Sequence, residues 1–206
     1  CRCPTAAAPP PAPEPAPPRV HAPRPATAGP TPQMPSPHPP HGTLPAADVL
    51  RLSDIGFDAP RALLQRYGLA LVQVPDGAPI PGSYWGEPEA GIIGATVYAR
   101  ADTPVHSLLH EAGHLVVLPP ERRAAIHTDA TDSIPEEDAV CVLQGLLGDA
   151  LPGVGRDRVW ADMDAWGYTF RLGSARAYVA HDAESAWAWL RAHGLVDARG
   201  ALLLPA

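Results

Sequence analysis

The 206-residue sequence contains neither lysine nor asparagine, so all 15 of its basic residues are arginine. Together with the abundance of alanine and proline, this pattern indicates a GC-rich coding bias, and the arginine content carries little functional information. The formal net charge of -7 and the lack of any basic run longer than Arg122-Arg123 argue against a nucleic-acid-binding module. No apolar stretch approaches the roughly 18 residues of a membrane span. We therefore expect neither a nucleic-acid partner nor a transmembrane segment.

Cysteine is also scarce, since the chain has only Cys1, Cys3 and Cys141. Three cysteines so far apart do not form a disulfide framework. Cys141 lies in an apolar stretch and is predicted to be a small buried hydrophobic residue. Cys1 is compatible with a lipidated terminus after signal removal, although Arg2 is unusual there, and equally with a fragment boundary. Neither interpretation determines the compartment.

Proline is concentrated at the N-terminus, where 17 of the 28 prolines lie between Pro4 and Pro45. Proline removes backbone donors, and this segment has no hydrophobic periodicity. We therefore predict that residues 1–45 form a disordered or polyproline-like arm or tether. Residues 46–206 are then expected to form a single domain.

The remaining chain mixes helix and strand patterns. Helices are predicted over residues 46–55, 59–67, 157–166, 174–179 and 183–193, and short strands over 69–74, 83–85, 91–93, 95–100 and 168–172. If the strand at 95–100 lies at the sheet edge, it could bind a peptide as an additional strand; the alternative is an ordinary interior strand. Four tryptophans in the C-terminal part are predicted to pack a helical cap onto the core.

Residues 103–118 are predicted to form the helix around which the site is built. Thr103 is a good N-cap, Pro104 fits the first helical position, and Pro119 ends the helix. On such a helix one broad apolar face is expected to pack on a core, while the histidine-bearing face lines a cleft. His106, on that second face, is expected to border the cleft.

This helix carries the motif His110-Glu111-x-x-His114. Residues four apart on a helix lie about 40° apart around the axis and about one turn apart along it, so the two imidazoles can meet at one ion. Two nitrogen ligands at this spacing suit Zn²⁺, and Glu111 can act as the general base. His110 and His114 are therefore the predicted metal ligands.

A second helix is predicted from Ser133 to about residue 151, with Glu136 as partner in a capping box. Its predicted buried stripe comprises Val140, Leu143, Leu146 and Leu147. The acidic residues Glu136 and Glu137 in its first turn, and Asp129 and Asp132 before it, are candidates for the third ligand that a catalytic zinc needs. A favourable interaction with the helix dipole is the alternative explanation of the first-turn acids.

The motif His-Glu-x-x-His, followed about twenty residues later by a helix with Glu-x-x-Ala, resembles the gluzincin zinc metallopeptidases, particularly the compact ImmA/IrrE-like domains. The resemblance covers roughly residues 69–150. It implies that strands lead into the metal helix and that Glu136, with Ala139 one turn on, is the third ligand, with Glu137 the next candidate. Asp129 and Asp132 would correspond to aspartate-liganded sites. Val140 departs from the family pattern, which usually has asparagine there.

Together these features predict an α+β domain in which a small, mostly antiparallel sheet packs against a zinc-binding helix pair, with a C-terminal helical cap. The expected function is zinc-dependent hydrolysis of a peptide or protein substrate. The alternatives are a zinc-stabilised, non-catalytic peptide- or protein-binding module and a metal-free structural domain. His127 is expected either near the ligands or on an exposed loop, and Tyr168 and His181 are candidate oxyanion stabilisers.

Deletion of residues 1–44 should leave the thermal unfolding midpoint and the zinc content of the domain nearly unchanged, because the arm has no apolar pattern with which to join a core. Calorimetry and metal analysis of the shortened and full-length chains would measure both quantities. A clear fall in the unfolding midpoint would show instead that the arm docks on the domain.

Overall fold

The computed structural model describes residues 48–84, 86, 88–128, 130 and 133–205. The predicted arm, Asp129 and Asp132 lie outside these residues. The described elements, in chain order, are helices α1 (Leu52–Ile55) and α2 (Asp58–Arg66), strands β1 (Ala70–Gln73), β2 (Gly91–Ile93) and β3 (Thr96–Ala99), and helices α3 (Val105–Val117), α4 (Pro120–Arg123), α5 (Ile134–Asp149), α6 (Arg156–Trp166), α7 (Ala175–His181) and α8 (Glu184–Ala192). The α+β class is therefore confirmed.

The three strands form a mixed sheet in the order β1-β3-β2. β1 is parallel to β3, whereas β2 and β3 are antiparallel. The sheet thus has one ladder of each kind, where we expected mostly antiparallel pairing. β3 is the central strand, so the hypothesis that residues 95–100 bind a peptide at a free edge is wrong.

The outer side of β2 is also occupied. Ile92 donates its N–H to the carbonyl of Gly82 and accepts from the N–H of Thr128, at 3.2 and 3.0 Å. Ser83 and His127 form isolated bridges to Gly91 and Ile93. The predicted strand at 83–85 is reduced to the single bridge at Ser83. Two loop segments therefore cover the strand edge on this side of the sheet.

Helix α3 begins two residues after the predicted cap. Pro104 is the N-cap residue, and the Thr103 hydroxyl instead accepts the N–H of Arg100 at 3.0 Å. The helix ends at Val117, before Pro119, as predicted. All thirteen of its residues are buried. Its histidine face is therefore not an open cleft, because α5 and α6 pack over the helix while β2 and β3 contact it as well.

Helix α5 is the centre of the helical layer and packs against α3, α6 and α8. The predicted stripe of Val140, Leu143, Leu146 and Leu147 is confirmed as buried, with at most 1% exposure. Ser133 is the N-cap residue, but its side chain makes no capping hydrogen bond, so the predicted capping box is not formed. Helix α5 therefore derives its stability from burial along its length rather than from a side-chain cap.

The C-terminal helices cover α5, as the tryptophan pattern predicted. Trp160 is buried in the core. The side chains of Trp166, Trp187 and Trp189 are partly exposed and pack against the same core. The predicted strand at 168–172 is absent from the described chain, which forms an irregular segment and turn between α6 and α7 there. Among the described helices, none has the length and apolar character needed to cross a bilayer.

Gly145→Ala should destabilise the domain by about 1–3 kcal/mol, as overpacking of cores typically does. A Cβ at residue 145 would lie 2.1 Å from Nε1 of Trp160, a buried ring with little room to move. We expect the free-energy cost of this clash to exceed the gain of about 1 kcal/mol that alanine brings over glycine in helix propensity. Urea unfolding would measure the change. In a Trp160→Phe background, which lacks the indole nitrogen, the same substitution should cost less; an equal cost in both backgrounds would contradict the packing explanation.

Candidate metal centre

The two motif histidines converge on the buried face of α3. Their Nε2 atoms lie 3.1 Å apart, and the rings meet edge to face with centroids 4.6 Å apart. His110 and His114 are one helical turn apart, which brings both rings to the same point on the helix. The predicted pairing of the two imidazoles is therefore present in the structure.

Glu137 on α5 supplies a carboxylate to this point. Its Oε1 lies 3.5 Å from Nε2 of His110, and its Oε2 lies 3.4 Å from Nε2 of His114. One ligand atom from each residue lies within 4.8 Å of the other two. His110, His114 and Glu137 thus form a group that could hold a metal ion.

Glu136, our first choice for the third ligand, does not belong to this group of three. Its Oε1 lies 3.5 Å from Nη1 of Arg122, on the α4 side. The two helices approach closely at Gly113 of α3, where a Cβ would lie 3.0 Å from Cγ1 of Val140 on α5. The next candidate, Glu137, is therefore the one at the site.

The spacing of the three side chains fits a tetrahedral zinc ion. With Zn–N and Zn–O bonds of about 2.0–2.1 Å, two ligand atoms on a tetrahedral ion lie about 3.3 Å apart. The two nitrogens lie 3.1 Å apart, and Nε2 of His110 and of His114 lie 3.5 and 3.4 Å from the two different oxygens of Glu137. Two neutral imidazole nitrogens and one carboxylate also form a ligand set that zinc accepts. The side chains present therefore match the group that the motif implies.

The environment keeps both histidines neutral. Burial lowers the pKa of His110 to about 4, although a hydrogen bond with Gln144 acts in the opposite direction. Burial also lowers the pKa of His114 to about 4; the proximity of His110 adds to this effect, and the charges of Glu137 and Glu136 oppose it. A neutral imidazole has a free lone pair for a metal, whereas an imidazolium does not.

Glu111 is buried beside the ligands, with 6% exposure. Tyr168 lies close by, and its ring packs edge to face on His110 at a centroid distance of 6.0 Å. Burial is the main reason that the pKa of Tyr168 is raised well above its usual value. The charges of Glu89, Cys141, Glu111 and Glu137, in decreasing order of effect, raise this pKa further. Tyr168 therefore keeps its proton at neutral pH and lies among the acidic groups of the site.

The other candidates from the sequence lie in three different settings. His106 is fully buried between Trp166 and Tyr168, so the expectation that it borders a cleft is wrong. The reason is that α6 and the segment after it cover this end of α3. His127 is exposed on the loop beside β2, where its Nδ1 lies 2.9 Å from the Thr128 hydroxyl. His181 is exposed at the end of α7.

Two buried polar residues near α3 were missed by the sequence reasoning. Glu89 accepts a hydrogen bond from Nε1 of Trp166 at 2.8 Å, and burial raises its pKa. No pattern in the sequence distinguishes Glu89. Gln144 lies at the α3–α5 interface and contacts His110 and Met163. It could have been found, because it is the single polar side chain in the apolar run 139–148.

Comparisons with protein-family models, with curated proteins and with solved structures gave no match to this chain. The likeness to gluzincin peptidases therefore depends on the motif and on the ligand geometry described above.

Glu137→Gln should weaken zinc binding by more than about a hundredfold, since loss of a partner that only orients a ligand already costs about 10–100-fold. Glu136→Gln is the matched control on the neighbouring residue. It breaks a partly exposed ion pair with Arg122, which contributes at most about 1 kcal/mol, and it should weaken zinc binding much less than Glu137→Gln does. Competition titration against a chelator would measure both affinities.

Unchanged zinc affinity in Glu137→Gln would contradict this assignment of the third ligand. If affinity were lost instead in Asp129→Asn or Asp132→Asn, the chain would belong to the aspartate-liganded class.

Proposed function

We propose that this chain is a zinc-dependent peptidase of the gluzincin type. The observation that supports this proposal is the convergence of His110, His114 and Glu137 from two packed helices, with Glu111 buried next to the first ligand. A structural zinc site usually has four protein ligands, whereas a catalytic site keeps one position open. The described part of the chain brings three such side chains together, which matches the catalytic arrangement.

A zinc ion held by these residues would supply a Lewis acid that lowers the pKa of a water toward about 7 and polarises the substrate carbonyl. The protein's own contribution begins with two neutral imidazoles and a carboxylate at fixed positions. Because the helices are rigid and fully packed, the ligands need little rearrangement to bind an ion.

Glu111 is assigned the role of general base. Its carboxylate accepts a proton from the attacking water while the water oxygen bonds to the peptide carbonyl carbon. The same proton is then delivered to the departing nitrogen as the carbon–nitrogen bond breaks, so that the products are a carboxylic acid and an amine. The low exposure of Glu111 removes competing bulk water from this proton transfer.

Tyr168 is assigned the stabilisation of negative charge on the carbonyl oxygen. Its ring packs on His110, and it is buried and protonated at neutral pH. A protonated phenol in a dry site is a strong hydrogen-bond donor to an oxyanion. His181, the other sequence candidate, is exposed at the end of α7 and receives no role.

The substrate would approach from the side of Glu137. The side chain of this ligand is 29% exposed, compared with 3% for His110 and 10% for His114. Addition of a substrate strand to β2 is disfavoured, because loop residues already hydrogen-bond to its outer side. We therefore propose that the scissile bond reaches the ligands near the N-terminal end of α5.

The low exposure of the histidines also supports a second candidate, a zinc-stabilised binding module that does not turn its partner over. A closed site suits a structural ion, and the chain beyond Asp48 is small for a deep specificity cleft. The presence of Glu111 opposes this alternative, because a structural site has no use for a base. The two candidates predict different effects of removing that carboxylate.

Glu111→Gln should keep the fold and the zinc but lose about 10²–10⁴-fold in the rate of peptide hydrolysis, which is the usual cost of losing a general base. The substitution removes the proton acceptor while retaining the size of the side chain. Cleavage of an unbiased peptide library, followed by mass spectrometry, would provide the substrates and the rates.

The matched control is Glu136→Gln, which removes a neighbouring carboxylate outside the group of three and should retain activity. If the natural chain cleaves no peptide in a zinc-dependent manner, or if Glu111→Gln cleaves at the natural rate with equal zinc content, the peptidase proposal fails and the binding module is favoured.

A further inference from the structure

Strand β1 forms the edge of the sheet that the described part of the chain leaves open. It is the first strand in the order β1-β3-β2, and its partner among the described strands is β3. The opposite edge, at β2, is covered by hydrogen bonds from the loops at Gly82 and Thr128. An open edge presents unpaired N–H and C=O groups and can pair with another strand. The outer side of β1 is therefore where this sheet can be extended.

The hydrogen bonds between β1 and β3 show which backbone groups of β1 point outward. Ala70 and Val74 donate their N–H groups to carbonyls of the β3 segment at 2.9 and 2.8 Å. In a parallel ladder alternate residues bond to the same neighbour, so the residues between them, Leu71 and Gln73, point their N–H and C=O groups away from β3. Among the described residues, no loop or helix forms a backbone hydrogen bond with Leu71 or Gln73.

This edge carries no charge that would keep another strand away. Residues 69–75 include no acidic or basic side chain, although the whole chain has a net charge of -7. Natural sheet edges are commonly protected by charged side chains. Val72 is 41% exposed in the middle of the strand, and it lies in register with the partly exposed Tyr98 on β3. A partner strand would thus meet an uncharged edge with an exposed valine at its centre.

A second copy of β1 complements this edge. When two β1 strands run antiparallel with Val72 opposite Val72, Leu71 of each copy lies opposite Gln73 of the other. Each of these two pairs exchanges two hydrogen bonds, because both residues point their backbone groups outward. The two Val72 side chains then form a non-hydrogen-bonded pair, in which side chains are closest. All the outward groups of β1 therefore find partners.

Neighbouring registers do not satisfy the same groups. A pairing centred on Leu71 would place Gln73 opposite Leu69, whose N–H is already donated to α2 at 3.1 Å. A pairing centred on Gln73 would place Leu71 opposite Pro75, which has no N–H. A shift by a single residue would turn the inward groups of one strand toward the outward groups of the other. The register centred on Val72 is therefore favoured.

We propose that two copies of this chain pair through β1, antiparallel and centred on Val72, so that their three-stranded sheets join into one sheet of six strands. The pairing is closed, because the two-fold axis uses the same edge of both copies and the edge at β2 is covered. Four hydrogen bonds and one valine pair make a small contact, so the dimer is expected to dissociate reversibly. The proposal is independent of the metal site and of the proposed peptidase function.

Sedimentation of the full chain at increasing concentration should show a monomer–dimer equilibrium. Val72→Lys should raise the Kd of the dimer by at least about 100-fold, because it removes the burial of two valines and places two like charges opposite each other. Leu172→Lys is the matched control. Leu172 is also 41% exposed but lies in the turn before α7, so its replacement should leave the dimer Kd unchanged.

Cysteine cross-linking tests the register, in a full chain that carries Cys1→Ser and Cys3→Ser. Added Val72→Cys should give a covalent dimer on mild oxidation, because the Cα atoms of a non-hydrogen-bonded pair lie about 4.5 Å apart, within the range that a disulfide spans. Gln73→Cys is the control on the neighbouring residue. Its two copies would lie about 9 Å apart across the pair, which is too far for a disulfide.

Several results would overturn the proposal. These are a natural chain that stays monomeric up to about 1 mM, a dimer that persists in Val72→Lys, and cross-linking through Gln73→Cys that equals that through Val72→Cys. A monomeric chain that takes up an extended peptide at this edge, seen as amide shifts of Leu71 and Gln73, would assign the edge to a different partner and overturn pairing between copies. If circular dichroism shows that Val72→Lys does not fold, the cysteine pair decides the question by itself.

Discussion

The site depends on the close approach of α3 and α5 at Gly113. A Cβ at this position would lie 3.0 Å from Cγ1 of Val140, so a larger side chain would require Val140 or the helix spacing to shift by a few tenths of an ångström. Glu137 is one turn before Val140 on the same helix, and its two oxygens reach the histidines at 3.5 and 3.4 Å. Because ligand distances tolerate an error of only about 0.2 Å, a small separation of the helices would remove the carboxylate from the site. The absence of a side chain at Gly113 thus permits the helix spacing at which the three candidate ligands meet.

The same packing has an electrostatic consequence. Every residue of α3 is buried, and burial lowers the pKa of His110 and of His114 to about 4. The rings are therefore kept neutral by their surroundings, and the carboxylate of Glu137 is the one acidic ligand. Burial has a cost, since polar groups removed from water need partners. Around His110, Tyr168 packs on the ring from the segment after α6.

The sequence was sufficient to predict the features that depend on local patterns. The two-histidine motif, the ends of the apolar runs and the buried stripe on α5 are set by spacing of 3.6 residues per turn and by proline at the boundaries. The arm at residues 1–45, Asp129 and Asp132 lie outside the described residues, so these predictions remain predictions. The class of the fold followed from the same patterns.

The failures concern how elements are rotated and ordered relative to one another. The choice between Glu136 and Glu137 depends on how α5 is rotated against α3, and that rotation is set by contacts between residues far apart in the sequence, such as Gly113 and Val140, which are 27 positions apart. The strand order also depends on a contact between residues far apart in the sequence, because β3 is central only through its pairing with β1 across a long connection. His106 is buried because α6, distant in sequence, covers it. Periodicity describes one element at a time and does not report such contacts.

Glu111 provides the strongest physical reason to favour an enzyme over a binding module. Glu111 is 6% exposed, in a helix whose other residues are also buried. Removing a carboxylate from water costs free energy of folding, and this cost must be offset by its partners or accepted for the sake of function. A structural zinc site would be better served at this position by an alanine or leucine, which favour the helix and need no polar partner. The energetic cost is concentrated at the residue that follows the first ligand, where a base would meet a metal-activated water. Local rules are broken most often where function requires it, and Glu111 is one of the buried polar residues of α3.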